Sequence, residues 1–288
     1  MRRLNYILTT TLITFFVACG GGSGSSGDKA QNSTNSSLNS QNIDNYNNSS
    51  NDSKTKTQQD MLKSDKSGKI TTINASDNVN DLTLTDEKLF LAEGKSGVEI
   101  LKIGYKDTIS SELIGKIEGI DAKRVILSDE KTKLYVEDND GVIHIVDISN
   151  INKPKVVGKT NKKNIDSSAL TKNKTYKFVP KNENGMDIFD ISNPSNITKV
   201  SHYKVSNVYD IVLVEDDTKA LIATGMVGIN LLDITNPKAI NPIGNYRITG
   251  AKATGLTLDE KNDILFVATG EKGVLVFNVD ILLSELEK

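Results

Sequence analysis

Apolar and polar residues alternate along most of this chain, and the alternation keeps ending in the same way. In DGVIHIVDISNINKP (Asp140–Pro154) a turn leads into alternating apolar positions, then an Asp, an Ile-Ser-Asn step and a Pro. NGMDIFDISNP (Asn184–Pro194) and VGINLLDITNP (Val227–Pro237) repeat the pattern; SGVEILKIG from Ser96 and KGVLVFNVD from Lys272 are weaker copies. With the Asp aligned, the anchors are Lys102, Asp147, Asp190, Asp233 and Asn278, spaced 45, 43, 43 and 45 residues apart. A fixed period of this length signals a repeat architecture, and short alternating runs signal strands.

Four runs fit into each period. In the second copy they are Arg124–Ser128, Leu134–Glu137, Val142–Ile148 and Lys155–Lys159, parted by turns rich in Asp, Asn and Gly. The pattern predicts an all-β chain, a five-bladed β-propeller of four-stranded antiparallel blades. The fifth copy supplies three runs and then DILLSELEK, which reads as a short helix with Leu282, Leu283 and Leu286 on one side. SGKITTIN (Ser67–Asn74) resembles IGKIEGID, the fourth run of the first copy. Lys69–Ile73 is therefore expected to close the last blade, which removes an exposed sheet edge. The alternative is that Leu282–Leu286 closes it.

At this point the repeats resemble those of the LVIVD-repeat proteins. VIHIVDIS (Val142–Ser149), MDIFDISNP (Met186–Pro194) and INLLDITNP (Ile229–Pro237) carry the resemblance, together with LFVATGEKGV from Leu265. It covers roughly Ser67–Asp280 and implies a β-propeller in a secreted or surface-attached microbial protein, with no assigned biochemistry. Lys102 and Asn278 depart from the Asp of the signature.

The start of the chain has a different character. Arg2-Arg3, an apolar stretch from Tyr6 to Val17 and then Ala18-Cys19-Gly20 describe a signal peptide over residues 1–18. The stretch is too short for a comfortable membrane span. Phe16-Val17-Ala18-Cys19 resembles the lipobox of bacterial lipoproteins, which implies acylation of Cys19 and a membrane partner through that lipid. The competing reading is an ordinary signal peptide with an incidental Cys. Gly20 rather than Asp implies, by the same resemblance, the outer membrane of the cell envelope. Residues 19–66 are Gly, Ser and Asn-rich and read as a disordered tether with a reach of roughly 35–40 Å. That leaves 67–280 for the propeller and 281–288 for the helix.

Composition narrows the chemistry. A net charge of −2 argues against a nucleic-acid binder, and the single Cys excludes a disulfide framework or a Cys-rich zinc site. His144 and His202 stand at non-equivalent repeat positions, and no nucleophile elbow, P-loop or H-E-x-x-H is present. No cofactor and no metal are expected, and the chain reads as a monomer.

The anchors Asp147, Asp190 and Asp233 read as turn fasteners, because a residue needed by every blade is architectural. Loops entering the first strands differ from blade to blade and make the candidate binding rim: Asp81, Lys123, Arg124, Asp166, Tyr209 and Asp210, with Asn80 and Lys252. Three positions before each anchor lie Glu99, His144, Asp187 and Asn230, which either line a polar pocket at the same mouth or stand solvated. The function expected is a non-catalytic module that binds a protein or glycan. The alternatives are a hydrolase or lyase using Asp81, Asp166 and Asp210, and a scaffold in envelope assembly.

Overall fold

The computed structural model describes residues 62–160 and 167–288. The signal peptide, Cys19, most of the tether and Asp166 lie outside them. Among the described residues, twenty strands and one helix follow in chain order. β1 (Lys69–Ile73) comes first and stands apart from its sequence neighbours. Blade 1 holds β2 (Asp81–Thr85), β3 (Lys88–Ala92), β4 (Val98–Gly104) and β5 (Ser110–Ile117). Blade 2 holds β6 (Ala122–Leu127), β7 (Lys133–Asp138), β8 (Ile143–Asp147) and β9 (Lys155–Thr160). Blade 3 holds β10 (Ala169–Leu170), β11 (Tyr176–Pro180), β12 (Met186–Asp190) and β13 (Thr198–Tyr203). Blade 4 holds β14 (Asp210–Val214), β15 (Lys219–Ala223), β16 (Ile229–Asp233) and β17 (Asn241–Tyr246). Blade 5 holds β18 (Gly255–Asp259), β19 (Ile264–Ala268) and β20 (Val274–Asn278), and the helix α1 (Val279–Leu286) ends the chain.

Each blade is a four-stranded antiparallel sheet, and the fifth is completed by β1, which pairs with β20 through Thr71–Val276, Thr72–Leu275 and Ile73–Val274. The ring is thus closed by the N-terminal strand, with its bounds as expected. Leu282–Leu286 is helical instead. Asn278, in the anchor position of the fifth copy, accepts the Ile281 N–H at 3.0 Å and caps the helix. The helix consequently starts at Val279, earlier than the run of leucines indicated. Residues before 67 also belong to the fold. Leu62 is buried in the apolar layer that contains Ile73 and Val276.

Blades stack face to face, so their middle strands are covered on both sides. This is why β3, β15 and β19 read Leu-Phe-Leu-Ala, Ala-Leu-Ile-Ala and Ile-Leu-Phe-Val-Ala instead of alternating. Outer strands such as β5, β9 and β17 are largely exposed. Four apolar layers between neighbouring blades form the core among the described residues. No described helix is long and apolar enough to cross a membrane.

Two small devices join the blades. The first is a pair of reciprocal backbone hydrogen bonds between the β3–β4-type turn of one blade and the loop entering the next. It links Gly94 with Ala122, Asn182 with Val208, Gly225 with Ala253 and Gly270 with Val79. The turn residue has φ near +50° to +65° in all four, a conformation that Gly and Asn tolerate best. The second is a small residue on the outer strand, at Gly115, Ser201 and Gly244. A Cβ at Gly115 would press on the Ile151 carbonyl and one at Gly244 would collide with that of Leu286. Ser201 donates its hydroxyl to the Pro237 carbonyl at 2.5 Å. The anchor turn of one blade, or α1 in the fifth, thereby packs on the outer strand of the blade before it.

Candidate functional site

The anchor carboxylates fasten their own turns. Asp147 accepts the Ser149 N–H at 2.9 Å, Asp190 that of Ser192 at 3.0 Å and its hydroxyl at 2.6 Å, and Asp233 that of Thr235 at 2.9 Å. These hydrogen bonds favour the ionised form and hold all three carboxyls below their ordinary range. All three project from the ends of separate blades.

At the other end of those strands lies the mouth that receives the entry loops. There the equivalent ladder position near the start of the inner strands reads Asp81, Arg124, Asp210 and Gly255 in blades 1, 2, 4 and 5. Inner strands have an unpaired backbone edge toward the axis, and these residues satisfy part of it. Asp81 accepts the Val125 N–H of blade 2 at 3.0 Å, and Asp210 accepts the Leu256 N–H of blade 5 at 2.7 Å. Gly255 leaves room for Asp81, whose carboxylate would lie 2.6 Å from a Cβ there. Asp81 is buried and Asp210 partly so. Desolvation raises the Asp81 carboxyl to about 6, against the pull of the Val125 N–H and the Arg124 charge. Asp210 is raised well above its ordinary range by desolvation and then by the charge of Asp81. The two carboxyls, on non-adjacent blades, therefore sense each other across the axis with Arg124 near both.

Lys123 is exposed because it occupies a bulge, between Ala122 and Arg124, where β6 slips against β7. It stands outside the axial group. Asp166 belongs to the residues not described.

The residues three before each anchor do not converge on one pocket. Each joins a polar cross-strand set within its own blade. Glu99 accepts hydrogen bonds from the Ser76 hydroxyl and from Lys116 Nζ at 3.5 Å. His144 Nε2 meets Asp138 Oδ2 at 2.7 Å, and its Nδ1 is buried with no partner. Asp187 is held by Lys199 and by His202 Nδ1 at 2.7 Å; these outweigh its desolvation and lower its carboxyl. Asn230 accepts from the Asn245 side-chain amide. Glu99 and His144, each only 4% exposed, are structural members of their blades and not solvated strand ends. The sequence spacing places these four at one level, but neighbouring blades point them into separate environments.

At this mouth a cleft of about 510 Å³ opens between blades 4, 5 and 1. Its walls are Asn78 and Asn80, Tyr209, Met226, Lys252 and Glu271. Asn80, Tyr209 and Lys252 are the entry-loop residues picked out by their variation, and each is a near neighbour of an inner-strand start. Met226 is the residue that sequence reasoning missed. The other blades carry polar residues at the tip of the equivalent turn, whereas blade 4 presents Met226 and Val227, 55% and 47% exposed. The signal was present as an apolar pair inside a turn.

The opposite mouth has a smaller, acidic recess of about 190 Å³ lined by Glu215, Asp216, Asp217 and Lys172. Blade 5 and α1 complete its walls through Glu260, Asp263 and Asp280, and Lys172 Nζ of blade 3 pairs with Asp216 at 2.9 Å. Among the described residues no group of three or more His, Cys, Asp or Glu could hold a metal ion.

The LVIVD repeat family matches residues 121–162 and 174–205, in blades 2 and 3. No curated protein matches the chain. Solved structures that the chain is similar to include a protein from Lactobacillus plantarum, 15% identical with a TM-score of 0.35 over 72% of this chain and 69% of that one. Another is a chain of a mitotic checkpoint complex, 12% identical with a TM-score of 0.38 over 70% of this chain and 63% of that one.

Proposed function

We propose that this LVIVD-repeat propeller is the binding head of an envelope-anchored lipoprotein, and that it captures a protein or glycan in the mouth cleft without catalysing a reaction. The observation that carries the reading is the cleft itself. Its volume suits a small ligand or a protruding group of a larger one. It combines an aromatic ring and an exposed Met with amides, a Lys and a Glu on an otherwise repetitive scaffold. The axial carboxyls accept backbone N–H groups of the next blade, which suits a structural role better than a pair of exchanging acids. The anchor rests on the sequence around Cys19, and the Gly, Ser and Asn-rich stretch between Cys19 and Leu62 would hold the head clear of the bilayer.

A photo-crosslinking residue at Lys252 in intact cells should trap an envelope component, and Tyr209→Ala should abolish the capture. Turnover of a screened substrate that disappears in Asp210→Asn would overturn the non-catalytic reading. Radiolabelled palmitate should enter the wild-type chain and not Cys19→Ala; equal labelling would remove the lipid anchor.

A further inference from the structure

At the repeat positions of Glu93 and Glu99, blades 2 and 3 place oppositely charged or hydrogen-bonding partners, Asp138 with His144 and Lys181 with Asp187. Blades 4 and 5 place uncharged residues there, Thr224 and Asn230, Thr269 and Leu275, with the Thr hydroxyls donating to the Gly228 and Gly273 carbonyls. Blade 1 places Glu93 against Glu99. Glu93 is 0% exposed, and neither of its carboxyl oxygens has a hydrogen-bond partner among donors. The Ser76 N–H approaches without reaching hydrogen-bond geometry, and the group within reach is the Glu99 carboxylate. Two buried carboxylates cannot share that contact, but an acid and a carboxylate can, with Glu93 donating to Glu99. The charged groups facing Glu93 are Glu99 on β4 and Lys116 on β5, and Lys116 lies at 3.5 Å from Glu99. Desolvation, and then the charge and hydrogen bond of Glu99, raise Glu93 to about 8.

Glu99 also receives the Ser76 hydroxyl. Ser76 lies in the loop from β1 to β2, which continues through Asn78, Val79 and Asn80 along the cleft wall and carries the clasp to Gly270. We propose that the Glu93–Glu99 pair is a proton-operated latch on the mouth cleft, in which the protonated pair fixes Ser76 and with it the Asn78–Asn80 wall. This rests on the reading of the cleft as the binding site. Glu99 and Lys116 are held on strands β4 and β5, whereas Ser76 lies in a loop, so the loop yields first when the proton is lost.

The sign follows from the raised acid. The closed loop retains the Glu93 proton, whereas an opened, solvated Glu93 has its ordinary value of 4.5. Closure is therefore strongest in acid, weakens as pH rises from 4.5 towards 8, and changes no further above that. Hydrogen exchange of the Ser76–Asn80 amides, corrected for intrinsic rates, should show at least about tenfold more opening at pH 7.5 than at pH 5.5, within the tenfold per pH unit that one proton allows. The β19 amides serve as the internal reference. Glu93→Gln should fold, since Thr occupies the position in blades 4 and 5, and should make the opening independent of pH. Equal protection of the wild-type loop at both pH values overturns the latch, as does the same loss in Glu93→Gln. If Glu93→Gln does not fold, Glu99→Gln should flatten the profile instead. No ligand is used, so failure here is distinct from failure to crosslink a partner at the cleft.

Discussion

Glycines at one repeat position separate two physical effects. Gly115, Gly158 and Gly244 occupy equivalent sites on three outer strands. A Cβ at Gly244 meets the Leu286 backbone, which cannot swing away as a side chain could; at Gly158 the nearest atom is 3.7 Å off. Gly244→Ala should lower unfolding free energy by about 1–3 kcal/mol, the usual cost of forcing atoms into a packed seam. Gly158→Ala should be neutral or stabilising by up to about 1 kcal/mol through the unfolded chain. Urea unfolding of both variants checks the pair, and equal losses would refute the packing argument. Asp81 gives a second test. Its folded acid stands near 6 against an ordinary 3.8, so its contribution is full below 3.8 and is lost as pH rises to about 6. Asp81→Asn should flatten that part of the stability profile, and a profile unchanged between pH 4 and 6 counts against it.

The closing elements matter more than their lengths indicate. α1 buries Val279, Leu282, Leu283 and Leu286 against blades 4 and 5. At about 1.5–3 kcal/mol for each buried side chain, their loss rivals the whole stability of a domain. A chain ending at Asn278 should therefore aggregate or melt far below the intact protein; a retained melting temperature would show that α1 is dispensable. Deleting Ser67–Asn74 removes β1 and bares the edge of β20. It should cause comparable loss together with self-association, measured by light scattering.

For the molecule as a whole, two sets of carboxyls pull in opposite directions. Asp138, Asp147, Asp187, Asp190 and Asp233 are held low, so they destabilise the fold only when protonated in acid. Asp81, Glu93 and Asp210 are held high, so they withdraw stability as pH rises past their ordinary range. The melting temperature should peak at roughly pH 5 and fall toward pH 8. A steady rise from pH 5 to 8 in differential scanning would contradict this balance.

Period, blade number, strand order and ring closure were all legible in the residues, because each is set by a local pattern repeated along the chain. The turn-fastening role of Asp147, Asp190 and Asp233 was legible for the same reason: its partner lies two residues away. Which rim residues meet was not. Asp81, Arg124 and Asp210 are separated by 43 and 86 positions and come together only because blades arrange their first residues around one axis. Glu99 and His144 looked solvated, yet neighbouring loops and strands cover them. Glu93 drew no notice beside a common turn, and the Met226 tip acquired meaning only as the wall of a cleft. Periodicity determines what every blade shares; the environment of the residues that differ is decided by the blades beside them.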